Sequence, residues 1–165
     1  MTDVFSAEKR SAVMRGIRSS DTKPEVIVRR LLFASGLRFR LRRADLPGQP
    51  DIVLAKWRTV VFVNGCFWHQ HPGCTRATLP STRKDYWLPK LARNVERDAQ
   101  EHKALLDAGW RVLIVWECAC LKSFREELRK LLSEFVRGGA GYGEIERSRD
   151  EQRLFLKTGR QCLPV

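Results

Sequence analysis

The distribution of apolar and polar residues along the chain predicts an α/β protein. Residues 51–54 and 59–63 form two nearly continuous apolar runs around the tetrapeptide 55–58, and residues 110–116 form a third. Apolar runs without alternation are typical of strands covered on both faces, and the covering layers are then helices. Residues 37–43 alternate between apolar residues and arginine, which predicts a half-buried strand.

Helix signals lie on either side of these strands. Thr22-Lys23-Pro24-Glu25 has the pattern of a capping box, with Thr22 as the cap and Glu25 reaching back. This helix is predicted to end at Gly36. Further helices are predicted over residues 6–17, 87–108 and 121–136. The resulting order, α-α-β-β-β-α-β-α, predicts a sandwich of helices around a mixed sheet.

The length of 165 residues indicates one domain with its own core. Within it we predict three segments. Residues 1–20 contain a polar helix that either faces solvent or lies along a nucleic acid as an arm. Residues 21–137 are the core. Residues 138–165 are predicted to be a glycine-rich hinge followed by a charged tail.

Charge narrows the class of partner. The chain has 31 Lys and Arg against 19 Asp and Glu, a formal net charge of +12. Such an excess favours a polyanion through counterion release, so nucleic acid is the expected partner. No helix combines a basic face with a strongly apolar one, and no apolar run approaches the roughly 20 residues that span a bilayer. We therefore expect no membrane association.

Cysteine usage points to metal ligation. The N-terminus lacks the pattern of a signal peptide, so a cytoplasmic, reducing location is expected. Five cysteines in such a compartment argue against a disulfide framework. One loop after the second apolar run and the end of the third run supply candidates for a tetrahedral zinc site, namely Cys66, His71, Cys74 and Cys118. His69 and Cys120 compete as ligands, and Cys118 alone reads more simply as a small buried residue.

A carboxylate lies next to this loop. If the first two strands pair antiparallel about Trp57, Asp51 faces Val63 directly. A carboxylate beside a free backbone carbonyl at position 63 is a hard-oxygen site suited to Mg²⁺, and His69 is close enough in sequence to supply a base. The alternative for Asp51 is a turn-terminating aspartate.

Two further acids favour a metal-binding role for Asp51 over the role of a turn-terminating aspartate. In the predicted helix 87–108, helical spacing turns Asp98 inward, where it pairs either with His102 one turn later or with a group in the site. Glu25 lies at the border of its helix's apolar stripe, and its capping role is compatible with a second role in the site. Phosphodiester cleavage needs charge stabilisation by a metal and an activated water, for which Asp51 as ligand and His69 as base are the minimum set.

Taken together, these residues resemble one family. The matching segments are Met14-Arg15, Thr22 to Glu25, Leu46 to Asp51, Gly65 to His69, Asn94 to Asp98 and Arg111 to Cys118. They resemble the very-short-patch-repair (Vsr) mismatch endonucleases over about residues 6–140. The resemblance implies a restriction-endonuclease-like fold of the PD-(D/E)xK superfamily, a three-layer α/β sandwich with a structural zinc site. It also implies Mg²⁺-dependent nicking of double-stranded DNA 5′ to the thymine of a T·G mismatch.

The resemblance also assigns roles by position. Asp51 matches the Mg²⁺-binding carboxylate, with Val63 as a second ligand through its backbone, and His69 matches the catalytic histidine. Glu25 and Asp98 match supporting acids, and Asn64 occupies a further position of the catalytic site. Cys66, His71, Cys74 and Cys118 match the zinc ligands. Phe67, Trp68 and Trp87 match an aromatic wedge at the mismatch, and Met14 enters from the opposite groove. A monomer on DNA is expected, with mismatch-repair proteins or a DNA polymerase as possible partners.

The chain departs from the family at the catalytic end of its second strand. Better-known members have Thr and His where this chain has Val63 and Asn64. A backbone ligand at 63 tolerates Val, but Asn64 removes a titratable side chain. Two alternatives therefore stand beside a mismatch nickase. One is a zinc-stabilised module that binds distorted duplex without cutting, and the other is a related nickase with different or relaxed site specificity.

Overall fold

In the part of the chain that the structure describes, a mixed five-stranded sheet forms the centre. The structure, a computed structural model, describes residues 20–41, 43–148 and 153–159. The strands are β1 (Ile52–Leu54), β2 (Thr59–Asn64), β3 (Arg111–Trp116), β4 (Tyr142–Arg147) and β5 (Leu154–Thr158). They lie in the order β1-β2-β3-β4-β5, with β2, β3 and β4 parallel and the two outer pairs antiparallel. This confirms the predicted mixed α/β architecture.

Among the described residues, three helices cover the two faces of the sheet. They are α1 (Lys23–Ala34), α2 (Lys84–Asp107) and α3 (Arg125–Arg137). On one face, α1 and α3 bury Val28, Leu32, Leu128 and Leu132 against strand residues that include Val61 and Leu113. On the other face, α2 buries Leu105 against Val60, Val112 and Ile114. The successive residues of each central strand are therefore buried alternately against different helices, which explains the uninterrupted apolar runs.

The turn between β1 and β2 sets a register that differs from the predicted one. A short 3₁₀ turn (Ala55–Trp57) ends at Arg58, which has φ 45° and lies in the left-handed region. Pairing then begins at Leu54 with Thr59 and continues to Ile52 with Val61. The prediction that Asp51 faces Val63 was therefore wrong by one residue. The pair that closes the turn, Leu54 and Thr59, encloses four residues, so the turn is not symmetric about Trp57.

Two segments differ from their predicted structure. The predicted strand 37–43 is reduced to a single bridge between Arg40 and Val53. The segment from residue 138 onward, predicted to be a hinge and tail, instead contributes β4 and β5 to the sheet. β4 alternates apolar and charged residues and contains Gly143, whose Cα lies too close to the Phe135 ring for a side chain. The predicted helix 6–17 lies outside the described residues.

The parallel pairing of β2 and β3 places the site. Asn64 and Trp116 are paired at the carboxyl ends of these strands. The loop 65–83 after β2 and the 3₁₀ segment Glu117–Cys120 after β3 therefore start at the same edge. Neighbouring carboxyl ends of parallel strands are where α/β proteins place binding sites. Among the described residues, none of the helices has the length and apolar character that crossing a membrane would require.

Candidate functional site

A cleft opens at the carboxyl end of β2. It is lined by residues from α1, from the segment before β1, from β2 and its following loop, and from α2, including Glu25, Gln49, Asp51, Val63, Asn64, Trp68, His69, Asn94 and Asp98. The structure therefore brings together every residue that the sequence placed at the catalytic site. Two of these residues, His69 and Asp98, come from segments 29 positions apart in sequence.

Asp51 is held at the base of this cleft. Its Oδ2 accepts a hydrogen bond of 2.8 Å from the backbone N–H of Val63. Burial raises the pKa of Asp51 to about 6, and the nearby Glu25 adds to the rise, against the opposing effect of the Val63 N–H. A carboxylate in such a position gains from a cation, because burial penalises its charged form.

The backbone carbonyl of Val63 faces the same cleft. Val53 exchanges both of its backbone hydrogen bonds with Arg40, on the side away from β2. Backbone hydrogen-bonding groups alternate sides along a strand, so the N–H and C=O of Ile52 point the opposite way, toward its partner Val61 on β2. Val63 is two residues beyond Val61, so its N–H and C=O point to the same edge, which β1 no longer covers. Asp51 takes the N–H, and the carbonyl is directed to the same side of the strand.

Glu25 is buried and fully engaged by its own segment. Its Oε2 accepts from the backbone N–H of Asp21 at 3.0 Å and from the guanidinium of Arg29 at 2.8 Å. Its Oε1 accepts from the hydroxyl of Thr22 at 2.8 Å, and the capping box is complete. The predicted capping role of Glu25 is thus confirmed, and the same carboxylate lines the cleft. Its charge contributes to the raised pKa of Asp51.

His69 is paired with Asp98. Its Nδ1 is in hydrogen-bond contact with Oδ2 of Asp98, and both side chains are mostly buried. The sequence left the partner of Asp98 open between His102 and a group in the site. His102 is instead buried against the ring of Phe62, and burial lowers its pKa to about 4. A carboxylate on Nδ1 fixes the imidazole so that Nε2 is the nitrogen available for chemistry.

Four potential metal ligands converge beside the cleft. One ligand atom from each of Cys66, His71, Cys74 and Cys118 lies within 4.8 Å of the others. Nδ1 of His71 is 3.6 Å from Sγ of Cys66 and 3.6 Å from Sγ of Cys118. This group can hold a metal ion.

The competing ligands are directed elsewhere. The thiol of Cys120 contacts the backbone carbonyl of Trp116 at 3.9 Å, and His69 pairs with Asp98. Burial lowers the pKa of His71, but its hydrogen bonds with Cys118 and Glu146 outweigh this effect and raise it to about 9. The hydrogen bond from Cys66 lowers the pKa of Cys118.

An aromatic cluster borders both regions. The rings of Phe67, Trp68 and Trp87 lie 5.1 to 5.9 Å apart, centroid to centroid. All three are half-buried, so one side of the cluster is open. Sequence reasoning missed Tyr86, whose ring lies 5.3 Å from that of Trp87. It also missed Lys90, whose ammonium lies 5.5 Å from the ring centre of Trp68. Lys90 follows Trp87 by three positions, and this helical spacing was the available signal for the lysine. Met14 lies outside the described residues.

Comparison with known proteins identifies the family. Residues 2–76 match the family described as "DNA mismatch endonuclease Vsr". The chain is 49% identical over 134 residues to the type II nicking enzyme V.XorIIP of Xanthomonas oryzae pv. oryzae, covering 80% of this chain and 98% of that protein. It is 43% identical over 149 residues to the DNA mismatch endonuclease Vsr of Escherichia coli, covering 88% of this chain and 95% of that protein. The cleft, the cluster of cysteines with a histidine and the aromatic cluster thus occur in a chain that belongs to the Vsr family of DNA mismatch endonucleases.

Proposed function

We propose that this protein is a Mg²⁺-dependent endonuclease that nicks duplex DNA 5′ to the thymine of a T·G mismatch, where deaminated 5-methylcytosine faces guanine. Membership of the Vsr family supports nicking at mismatches. The observation that carries the assignment of the site is the convergence of Asp51, the Val63 backbone and the His69–Asp98 pair in one cleft.

The donor atoms in the cleft fit Mg²⁺. The carboxylate of Asp51 and the carbonyl of Val63 are hard oxygen ligands, and Mg²⁺ keeps several waters beside one or two such ligands. When bound there, the ion would neutralise charge on the scissile phosphate. Glu25 has both oxygens engaged with Asp21, Thr22 and Arg29, so its role is to hold this wall of the cleft and to add negative charge near Asp51.

His69 is the proposed general base. With Nδ1 bound to Asp98, Nε2 accepts a proton from the attacking water. Asp98 fixes the tautomer and stabilises the imidazolium that results. Asn64 is buried at the end of β2 and has no titratable side chain, so it does not share this task. Proton transfer in the cleft therefore depends on a single histidine.

The aromatic cluster is the proposed mismatch probe. Its open, apolar side can enter a base step, and a mispaired step is less costly to unstack than a paired one. Lys90 places a cation over the rings, where it adds attraction for the DNA backbone. We propose that residues 1–20, including Met14, contact the DNA from the opposite groove, and that the protein acts as a monomer.

The second metal site is proposed to hold Zn²⁺. Three cysteines and one histidine form a donor set typical of a closed tetrahedral structural site. Such a site fastens the irregular loop 65–83, which carries His69, Phe67 and Trp68, to the end of β3. The arrangement of sheet and helices also supports a restriction-endonuclease-like core, and we propose that this core extends through β5.

A nicking assay on closed circular duplexes tests the proposal. One circle carries a single T·G pair and its control carries T·A at the same position, each with and without Mg²⁺. We expect nicking of the T·G circle only, with Mg²⁺ present. Equal nicking of both circles would favour the nickase of relaxed specificity, and binding without nicking would favour the non-cleaving module.

A further inference from the structure

The imidazole of His71 is held on both of its nitrogen atoms. Nδ1 faces the thiols of Cys66 and Cys118 at 3.6 Å each, whereas Nε2 lies 2.8 Å from Oε2 of Glu146. The ring is 3% exposed and stacks on Trp116, with centroids 4.1 Å apart and planes 6° apart. Stacking of this kind leaves the ring little freedom to rotate out of the plane that joins the thiols to Glu146.

Glu146 is itself fixed by the neighbouring strand. It lies on β4, and its second oxygen, Oε1, forms an ion pair with the ammonium of Lys157 on β5. Its side chain is only 16% exposed, whereas that of Lys157 is 65% exposed. A carboxylate that is mostly buried needs such partners, because burial without them is costly. Glu146 and His71 are 75 positions apart, so the contact exists only because the chain continues past α3 into the β4–β5 pair.

We propose that Glu146 is a positioning residue for the cluster of Cys66, His71, Cys74 and Cys118. Its carboxylate accepts the Nε2–H of His71 and thereby holds the tautomer whose lone pair on Nδ1 points at the thiols. Ligating histidines commonly donate their other N–H to a carboxylate, which fixes the ring and makes the ligand nitrogen more basic. This inference rests on the metal site proposed above.

Lys157 balances the charge of this arrangement. Three thiolates and one neutral imidazole around a divalent ion leave one net negative charge, and Glu146 adds another beside it. The ammonium of Lys157 offsets that addition. The β4–β5 pair, which the sequence suggested was a tail, therefore contributes the outer support of the metal site from the far end of the chain.

Zinc affinity measures this role directly. The full chain would be titrated with Zn²⁺ against a chromophoric chelator, comparing the wild type with Glu146→Ala, Glu146→Gln and Glu117→Ala. Glu117 is the matched control, because it is next to Cys118 and carries the same charge but pairs with Arg76 on the surface. We expect Glu146→Ala to raise the zinc dissociation constant by about 10- to 100-fold. Glu146→Gln, which keeps an acceptor oxygen, recovers part of the loss, and Glu117→Ala stays close to the wild type.

Thermal unfolding separates this role from a general loss of stability. Each variant would be melted with Zn²⁺ and after exhaustive chelation. The positioning role predicts that Glu146→Ala reduces the rise in melting temperature caused by Zn²⁺, because that rise reflects binding to the native state. Equal lowering in both conditions, or an unchanged dissociation constant, would overturn the inference while leaving the zinc site intact. A wild-type chain that binds no Zn²⁺ would overturn the metal site and the inference together.

Discussion

Two histidines two positions apart on one loop are each paired with a carboxylate, yet they lie in different environments. His69 is 24% exposed, contacts Asp98 on α2 through Nδ1 and lines the open cleft. His71 is 3% exposed, contacts Glu146 on β4 through Nε2 and turns Nδ1 toward two thiols. The carboxylate does the same for both rings, since it fixes the tautomer. The rings differ in what surrounds the other nitrogen, which is the open cleft for His69 and sulfur for His71. That difference suits His69 to proton transfer and His71 to metal ligation.

The largest expected effect is a loss of nicking from a change in the cleft that leaves the metal cluster unaffected. Asp51→Ala removes the carboxylate that we assign to Mg²⁺, so nicking of a T·G duplex should fall by at least about 10³-fold. The zinc content should stay at the wild-type level, because Asp51 contacts none of the four candidate ligands. Asp107→Ala, which removes an exposed carboxylate on α2, is the control and should leave the single-turnover rate unchanged. A residual rate above one tenth of the wild type would contradict the assignment.

The next effect tests the His69–Asp98 pair. Asp98→Asn keeps the shape of the side chain but favours the wrong tautomer of His69, and we expect the nicking rate to fall by about 10²-fold. His69→Ala should cost at least as much, and the double variant little more than His69→Ala alone, because both residues act in one step. Single-turnover rates at saturating Mg²⁺ measure this. Additive losses in the double variant would show that Asp98 acts independently of His69.

A pH titration tests whether Asp51 in the cleft binds Mg²⁺. The pKa of Asp51 is raised by burial to about 6, so protons compete with Mg²⁺ for its oxygens in acidic solution. The apparent Mg²⁺ dissociation constant should be flat above that pH and should rise toward about tenfold per pH unit below it. Calorimetric titration of the DNA-free protein would follow it. A constant Mg²⁺ affinity down to about pH 4.5 would show that this carboxylate is not the ligand.

The smallest expected effect concerns the aromatic cluster of Phe67, Trp68 and Trp87. Trp87→Ala should lower the preference for T·G over T·A duplex by about fivefold, because a ring that stacks on a base contributes about 1 kcal/mol at the low end of its range. Leu88→Ala is the matched control, since Leu88 is exposed on the same turn of α2 and is not part of the cluster. The ratio of single-turnover rates on the two duplexes gives the preference. Equal loss on both duplexes would assign Trp87 to general DNA binding.

The parts of the fold that follow from local pattern were predictable. The strands β1, β2 and β3 were predicted to within one residue at each end, because both faces of each strand are buried and their sequences are almost uniformly apolar. The capping box at Thr22 fixed the start of α1. β4 was missed because the strand carries the charged residues Glu144 and Glu146, and the glycines before it are typical of a linker. The signals for a half-buried strand and for a charged tail overlap there.

The site was predictable where its residues share one loop. Three of the four candidate metal ligands lie between Cys66 and Cys74, and clustering alone indicated a metal. The partners of the two histidines were not fixed by sequence, because Asp98 and Glu146 reach them only through tertiary packing, 29 and 75 positions away. The register of Asp51 also depended on the left-handed conformation of Arg58, which apolar patterning does not specify.

The position of the cut tests the central claim most directly. A duplex with one T·G pair, labelled on the thymine strand, would be incubated with the protein and Mg²⁺ beside the T·A duplex of the same sequence. We predict a single product, cut at the bond 5′ to the thymine of the mismatch, that appears only with T·G and disappears with Asp51→Ala. The same product from the paired duplex, or from the Asp51→Ala protein, would contradict the account.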